Sequence, residues 1–407
     1  MLSTDTIGTA HRWVMLGCSL IAAMTTTCVV SGFAYLIPAL HAGGMTISRA
    51  SVLAAVPTVG LMLAIIGWGA LLDRHGERSI LIISVSITLV AAVATALAAW
   101  RAAPYPLLAA FLFLGGLGSG AANGASGRIV VGWFPPTQRG TAMGIRQMAQ
   151  PLGIAVCALT MPVISEHFGI GAALLVPVVV TAIGLCACVF GIVDPPMAAA
   201  GSSAALSARN PYRDSWFLAR VHAVSVLLVI PQSMLWTFVP TWLIVARHWS
   251  PATAGVLVTV TQTIGALGRI AAGRWSDAWL SRMRPIRLIA VVAGLAMAIL
   301  AFTDWAGSPV SVAIMMVASI VSVADNGLAF TAIAEFAGPR WSGRGLGVQN
   351  TAQYLATAAT TPIFGAIITA AGFPLAFALS AVAPVIAAPL VPKDPAPQGE
   401  SVPVDTR

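Results

Sequence analysis

Long apolar runs separated by short polar segments constrain the fold of this chain more than any single motif does. A helix that crosses a bilayer needs about 20 consecutive apolar residues. Twelve stretches meet this requirement, near residues 13–40, 47–72, 79–100, 105–133, 140–164, 170–193, 215–245, 252–274, 286–304, 309–335, 343–370 and 373–391. Charged residues make up only 8% of the 407 residues, against roughly 25% in soluble domains. We therefore predict an all-α membrane protein with twelve transmembrane helices.

The two halves of the sequence repeat each other. A charged cluster between the second and third runs returns in weaker form after the eighth. The cluster residues are Gly69, Asp73, Arg74, Gly76 and Arg78 in the first copy and Gly273 and Asp277 in the second. The offset of 204 positions between Asp73 and Asp277 recurs, to within one residue, between Asn123 and Asn326. Such a repeat predicts two pseudo-symmetric six-helix bundles, an arrangement typical of transporters.

The pattern from Gly69 to Arg78 resembles the loop between the second and third helices of the major facilitator superfamily. The Gly273 to Asp277 copy resembles the corresponding loop of that family's second half. The resemblance implies cytoplasmic termini and alternating access around a central cavity, with these loops in a gating role. We expect an N-terminal bundle over 1–193, a cytoplasmic linker over 194–214 that lacks apolar periodicity, a C-terminal bundle over 215–392 and a cytoplasmic tail over 393–407.

Positive charges concentrate on one side of the predicted topology. If the N-terminus is cytoplasmic, most arginines fall on or near that side, and Arg49, Arg101 and Arg247 fall on the other. The net charge of +8 therefore reflects topology, and we expect no nucleic-acid partner. We expect a multi-pass monomer in the lipid bilayer of a bacterial inner (plasma) membrane. The five cysteines lie inside predicted spans without metal-ligand spacing, so we expect no metal, cofactor or enzymatic activity.

The fifth predicted helix carries the polar face that most resembles a cavity lining. Arg146 lies about two turns inside this helix, where an arginine needs a partner or a water-filled cavity. Gln150 shares its face, and the equivalent positions of the second half are Gln349 and Gln353. Arg146 either faces a substrate cavity or forms a buried ion pair. The other residues predicted to bind substrate are Gln147, Tyr354, Tyr35 and Gln262.

A second buried arginine, Arg269, lies one turn before Gly273 in the eighth helix. This placement resembles the helix-eight arginine of the monocarboxylate and oxalate/formate exchanger branch, which implies an anion-binding role. Asp325 is the acidic residue that lies well inside a predicted span. A carboxylate in a low-dielectric interior either pairs with a cation or binds a proton. Asp325 is therefore predicted to pair with Arg269, to couple transport to protons, or to do both.

A third arginine, Arg128, lies near the end of the fourth helix. It is predicted to reach the membrane surface or to pair with Asp73. With Arg128, Arg146 and Arg269 facing one buried carboxylate, the cavity favours an anion. We therefore predict a secondary transporter for a small organic anion, a carboxylate, working by proton symport or anion exchange. The alternatives are export of hydrophobic or cationic compounds by proton antiport and, ranked lower, a membrane sensor that moves no solute.

Overall fold

The computed structural model describes residues 8–194 and 210–394, apart from the side chains of residues 73, 131, 136, 137, 139–141, 214, 338–340 and 342. Within these ranges the chain is helical and contains no strand. The helices are α1 (Thr9–Ser31), α2 (Ile37–Ala42), α3 (Ile47–His75), α4 (Glu77–Trp100), α5 (Tyr105–Gly118), α6 (Ala121–Trp133), α7 (Pro136–Gln147), α8 (Ala149–Ala173), α9 (Leu175–Gly191), α10 (Pro211–Asp214), α11 (Phe217–Thr241), α12 (Pro251–Ala278), α13 (Met283–Trp305), α14 (Val310–Val321) and α15 (Asn326–Leu390). A 3₁₀ turn over Gly32–Leu36 joins α1 to α2, and a π turn over Trp242–Ala246 ends α11.

The predicted count of twelve transmembrane helices is confirmed. Ten helical stretches of the described chain are long and apolar enough to cross a membrane, and Leu175–Gly191 adds a shorter apolar helix. The longest stretch, Gly343–Leu390, has 48 residues, enough for two crossings, and Gly372 divides it with a φ of 82°. The predicted boundaries of linker and tail fall largely at 195–209 and 395–407, outside the described residues, and stay a prediction.

The internal repeat is visible in the backbone. Gly169 and Gly372, at equivalent positions of the two halves, both have a φ of 82°, a region that glycine enters without steric cost. The N-termini of α3 and α12 are also built alike. Thr46 and Ser250 cap them by accepting a hydrogen bond from the backbone N–H three residues later. The two bundles are thus pseudo-symmetric in their turns as well as in their sequence.

Buried apolar side chains form three clusters, one shared by the two bundles and one inside each bundle. The largest cluster joins both bundles, with members such as Phe33, Ile154, Phe238 and Phe364. A second cluster belongs to the first bundle and contains Leu72, Ile129 and Phe134, among others. A third belongs to the second bundle and contains Leu218, Met283 and Ile333. The last two clusters lie toward the membrane face that carries Gly8 and Asp394, which we call the terminal face.

The bundles contact each other near the opposite face and separate toward the terminal face. At the opposite end, the Ser48 backbone N–H donates to Thr369 Oγ1 at 2.9 Å, so α3 meets α15. Helix α12 meets α8, where the Thr259 hydroxyl donates to the Ala155 carbonyl at 3.4 Å. Among the described side chains of the terminal face, no hydrogen bond or ion pair joins the bundles. The described hydrogen bonds at the two faces therefore join the bundles at the opposite face, while Gly69 and Gly347 near the terminal face have no atom within 4 Å of an added Cβ.

Candidate functional site

Two transmembrane helices are broken at equivalent positions near mid-membrane. Helix α5 ends at Gly118 and α6 begins at Ala121, while α14 ends at Val321 and α15 begins at Asn326. Ser119 in the first break and Ser322 in the second are related by the same repeat offset as Asn123 and Asn326. Helix ends leave backbone groups without intrahelical partners, so such breaks bring polar groups to a depth that a continuous helix keeps apolar.

Arg146 lies in the last turn of α7, directly beneath the first break. Its guanidinium makes three contacts, each to an uncharged group. Nε donates to Ser126 Oγ at 2.8 Å, Nη2 to the Asn123 carbonyl at 2.8 Å, and Nη1 to Met143 Sδ at 3.3 Å. No carboxylate among the described side chains lies within ion-pair distance of it. The positive charge is thus held in place without being neutralised.

Asn123 also connects the two bundles. Its side-chain amide donates to the hydroxyl oxygen of Tyr354, on α15, at 3.0 Å. Tyr354 is close enough to Arg146 for the two to interact electrostatically. The first bundle's buried arginine and the second bundle's tyrosine therefore meet at mid-membrane.

A chain of amides continues from Tyr354 into the second bundle. Gln353 Nε2 donates to Asn326 Oδ1 at 3.3 Å, and Asn326 Nδ2 donates to Gln232 Oε1 at 3.1 Å. The two hydrogen-bonded groups meet at the chain neighbours Gln353 and Tyr354, and we call them together the polar layer: Arg146, Asn123, Tyr354, Gln353, Asn326 and Gln232. It spans both bundles, as a shared central site requires.

Arg269 and Asp325 flank the polar layer in the second bundle, Asp325 directly before Asn326 in the chain. The two side chains are close enough to interact electrostatically. No hydrogen bond or ion pair joins them among the described contacts, and both Arg269 Nε and Asp325 Oδ1 are buried without a partner. Of the two roles predicted for Asp325, direct pairing with Arg269 is not formed in this structure.

The remaining predicted binding residues occupy different surroundings. Gln147 and Gln150 are half-buried and make no hydrogen bond within the described ranges. Tyr35 is 1% exposed in the large apolar cluster, and its hydroxyl has no partner there. Gln262 is buried beside a small cavity of the second bundle. The polar layer thus includes Arg146, Gln353 and Tyr354, while these other residues lie outside its hydrogen bonds.

Gln349 is fully buried and bonded inside the second bundle. Its Oε1 accepts a hydrogen bond from His222 Nδ1 at 2.7 Å, and its Nε2 has no partner. The other ring nitrogen of His222, Nε2, accepts from the Tyr212 hydroxyl at 3.0 Å. At the position equivalent to Arg146, the second half therefore has a glutamine that is hydrogen-bonded to a histidine. The polar faces of the two halves thus differ in their partners.

Arg128 has a partner that the sequence did not indicate. Its Nε donates to Glu77 Oε1 at 2.5 Å, and the Glu77 side chain is 4% exposed. The predicted alternative partner, Asp73, has a side chain outside the described residues. Glu77 was missed because it precedes the apolar run of α4 and looked like a loop residue. Arg128 is thereby neutralised and does not add its charge to the polar layer.

The described residues of the first charged cluster, from Gly69 to Arg78, contact their own bundle. The Arg78 backbone N–H donates to Asp194 Oδ1 at 2.6 Å, and its guanidinium donates to the Val189 carbonyl at 2.9 Å. Gly76 has a φ of 81° and lies against the Asp194 carboxylate. Arg74 is exposed. This loop therefore joins the N-terminus of α4 to the end of α9.

The second cluster is built on Arg282. Its guanidinium donates to Asp277 Oδ1 at 2.5 Å and to Glu335 Oε1 at 2.9 Å, and hydrogen bonding to Glu335 raises the pKa of Arg282. Its backbone N–H donates to Asp394 Oδ1 at 2.9 Å. Asp394 thus caps α13 as Asp194 caps α4. Gly69 and Gly273 both face open space, since no atom lies within 4 Å of an added Cβ.

Comparison with known proteins places this geometry in context. The family model described as Major Facilitator Superfamily matches residues 15–361. The chain is 47% identical over 401 residues to the MFS-type transporter Rv2994 of Mycobacterium tuberculosis, covering 98% of this chain and 88% of that protein. It is 23% identical over 359 residues to the probable galactarate/D-glucarate transporter GudP of Bacillus subtilis, covering 77% and 78% of the two chains.

The fold also matches a solved structure. A bacterial homologue of the human lysosomal transporter Spinster, in an inward-facing and unoccupied conformation, superposes with a TM-score of 0.74 at 16% identity. The match covers 95% of this chain and 97% of that one. At this identity the likeness concerns the fold.

Proposed function

Since the chain belongs to the major facilitator superfamily, whose members are transporters and not enzymes, we propose that its small-molecule substrate is an organic anion bearing a carboxylate. The observation that carries the proposal is the charge balance at mid-membrane. Arg146 has only uncharged partners among the described residues, and Arg269 Nε has none, while Asp325, the carboxylate near Arg269, forms no described ion pair. An anion would supply the missing partner.

Arginine is the residue suited to this task. The guanidinium remains charged at every accessible pH and presents a planar set of donors that matches a carboxylate. Ser126 and the Asn123 carbonyl engage Nε and Nη2 of Arg146, which fixes the plane of the group without cancelling its charge. Arg146 from the first bundle and Arg269 from the second would then hold one anion between them. Gln147, Gln150, Gln353 and Tyr354 would supply neutral hydrogen bonds.

Asp325 is the proposed proton-coupling group. Burial of a charged carboxylate with an unpartnered oxygen is energetically unfavourable, so the carboxylate is suited to bind a proton. A protonated Asp325 leaves Arg269 free for the substrate anion, and loss of the proton lets the carboxylate compete for that arginine. This exchange would couple anion binding to proton binding and gives symport. Exchange of one anion for another needs no change at Asp325.

In the proposed transport cycle, the starting state is open toward the terminal face. We propose that this face is cytoplasmic, that the membrane is a bacterial inner membrane, and that the monomer is sufficient. The bundles of residues 1–193 and 215–392 would rock about the anion, because a substrate held from both sides favours their closure. The relative GudP is named as a transporter of galactarate and D-glucarate, which are carboxylates, and this supports the substrate class.

Export of a cationic compound would need an unpaired acid in the first bundle. The buried acid described there, Glu77, is paired with Arg128, which argues against this alternative.

Uptake into proteoliposomes tests the proposal. A panel of labelled mono- and dicarboxylates is offered beside a lipophilic cation, with and without an inward proton gradient. Saturable carboxylate uptake is expected, with a loss of at least tenfold in Arg146→Gln and Arg269→Gln. The Arg146→Gln change installs the residue type that the second half carries at the equivalent Gln349. Arg101→Gln, which removes an exposed arginine at the opposite face, is the matched control. Unchanged uptake in both Arg146→Gln and Arg269→Gln would contradict the proposal.

A further inference from the structure

The second bundle contains a small cavity outside the polar layer. It lies between α11, α12 and α14 and is lined by Leu235, Trp236, Val239, Val258, Thr261, Gln262, Met315 and Ser319. Its volume of about 10 Å³ is enough for one oxygen-sized atom. No charged side chain lines it. The cavity is therefore an apolar pocket with a few neutral polar groups.

Two of these polar groups lack partners. Trp236 Nε1 is buried and makes no hydrogen bond. Gln262 is 7% exposed, and its amide makes none within the described chain. The hydroxyls beside them are already engaged, because Thr261 donates to the Leu257 carbonyl and Ser319 contacts Met315 Sδ. An indole N–H can only donate, so the missing partner of Trp236 is an acceptor atom.

The cavity is aligned with the proposed anion site. Gln262 and Arg269 are seven residues apart on α12, which places them on one face of the helix about 10 Å apart along its axis. Helical side chains lean toward the N-terminus of their own helix, so the Arg269 guanidinium reaches back toward Gln262. Arg269 Nε is also unpartnered. One elongated ligand can therefore meet the arginine at one end and the cavity at the other.

We propose that this cavity receives the far end of the substrate, and that the substrate is a monocarboxylate with an apolar body and a terminal hydroxyl or carbonyl oxygen. The inference rests on the proposed function, because Arg269 is the carboxylate anchor in both. The oxygen alone enters the cavity, where it accepts from Trp236 Nε1, bonds the Gln262 amide and contacts Leu235, Val258 and Met315, while the apolar body lies between the cavity and Arg269. A second carboxylate at this end is excluded, because it would be buried without a cation.

Three matched acids test this assignment by competition against labelled propanoate uptake in proteoliposomes. They are 3-phenylpropanoate, 3-(4-hydroxyphenyl)propanoate and 3-(4-carboxyphenyl)propanoate. The hydroxyphenyl acid is expected to inhibit at a concentration about tenfold lower than the phenyl acid, as one hydrogen bond to an otherwise unpaired donor predicts. The carboxyphenyl acid is expected to be the weakest inhibitor of the three.

Two variants locate the effect. Trp236→Phe removes the N–H, and Gln262→Leu removes the amide at similar volume. In each, the ratio of the half-inhibitory concentrations of the phenyl and hydroxyphenyl acids is expected to fall to about threefold or less. Trp100→Phe, at an exposed tryptophan, is the control and keeps the wild-type ratio. If both variants keep the wild-type ratio of inhibition by the phenyl and hydroxyphenyl acids, the assignment is overturned. That result is expected if a water molecule, and not the substrate, fills the cavity.

The result also separates this inference from the function on which it rests. Equal inhibition by all three acids, with propanoate uptake that Arg269→Gln abolishes, overturns the tail subsite and leaves the anion transporter standing. Absence of propanoate uptake, together with absence of direct uptake of each of the three acids in labelled form, overturns both.

Discussion

Glycines that face open space near the terminal face give a sharp prediction about alternating access. Ser51 of α3 packs against Gly365 of α15 where the bundles meet at the opposite face. Gly69 lies about five helical turns along α3 from Ser51, and Gly347 lies about five turns along α15 from Gly365, each on the same helix face. No atom lies within 4 Å of a Cβ added at either glycine. We expect Gly69 and Gly347 to approach each other when the terminal face closes.

The size of the effect follows from the contact already formed. A Cβ at Gly365 would overlap the Ser51 side chain, which shows how closely these helices approach when they meet. Gly347→Leu adds its bulk to open space in the present conformation, and helix propensity favours leucine by about 0.5–1 kcal/mol. In the closed form the same leucine costs about 3 kcal/mol through overpacking. The population of the closed form would fall by about a hundredfold.

The assay combines uptake with thermal unfolding in detergent. Gly347→Leu is expected to lower uptake at least tenfold while the unfolding temperature stays at or slightly above that of the wild type. Gly67→Leu is the matched control, because Gly67 also has open space around it but lies on another face of α3. Wild-type uptake by Gly347→Leu would refute the approach of Gly69 and Gly347 in the closed form. A large drop in unfolding temperature would refute the presence of open space around Gly347 in the present conformation.

Three further predictions concern single groups. Asp325→Asn should abolish the dependence of uptake on an inward proton gradient while exchange of labelled for unlabelled anion continues, and gradient-driven uptake at the wild-type rate would remove Asp325 from the coupling mechanism. Arg128→Gln should lower the free energy of unfolding by about 2 kcal/mol, which is less than the loss of a fully buried pair costs, because Arg128 is 40% exposed. Adding Glu77→Gln should restore most of this loss in thermal unfolding. A double variant whose loss equals the sum of the two single losses would contradict the pairing. Asp394→Ala should cost about 1 kcal/mol through loss of the α13 cap, seen as a lower unfolding temperature with uptake retained, and an unchanged temperature would contradict the capping role.

Much of the fold could be predicted from the sequence because the bilayer imposes a simple length rule. Twelve runs of about 20 apolar residues specify twelve helices, and the predicted gap between 370 and 373 coincides with the turn at Gly372. The breaks after Gly118 and Val321 could not be predicted. Their glycines and serines suit close helix packing as well as a break, and the choice depends on neighbours that are distant in the chain.

The candidate site could also be predicted only in part from the sequence. The depth of Arg146, Arg269 and Asp325 follows from their position along apolar runs, so sequence alone indicated them. Their partners depend on how helices pack. Nothing local links Arg146 to Ser126, or Gln349 to His222, 127 positions away. The repeated Asn-Gly pairs at 123 and 326 were the signal that could have identified the amides of the polar layer.

The most direct test of the account is carboxylate uptake by proteoliposomes containing the wild type, Arg269→Gln and Arg101→Gln at matched protein content. The account predicts saturable uptake that Arg269→Gln abolishes and Arg101→Gln leaves intact. Movement of the lipophilic cation, with carboxylate uptake absent from all three, would contradict it and would make the buried arginines structural groups.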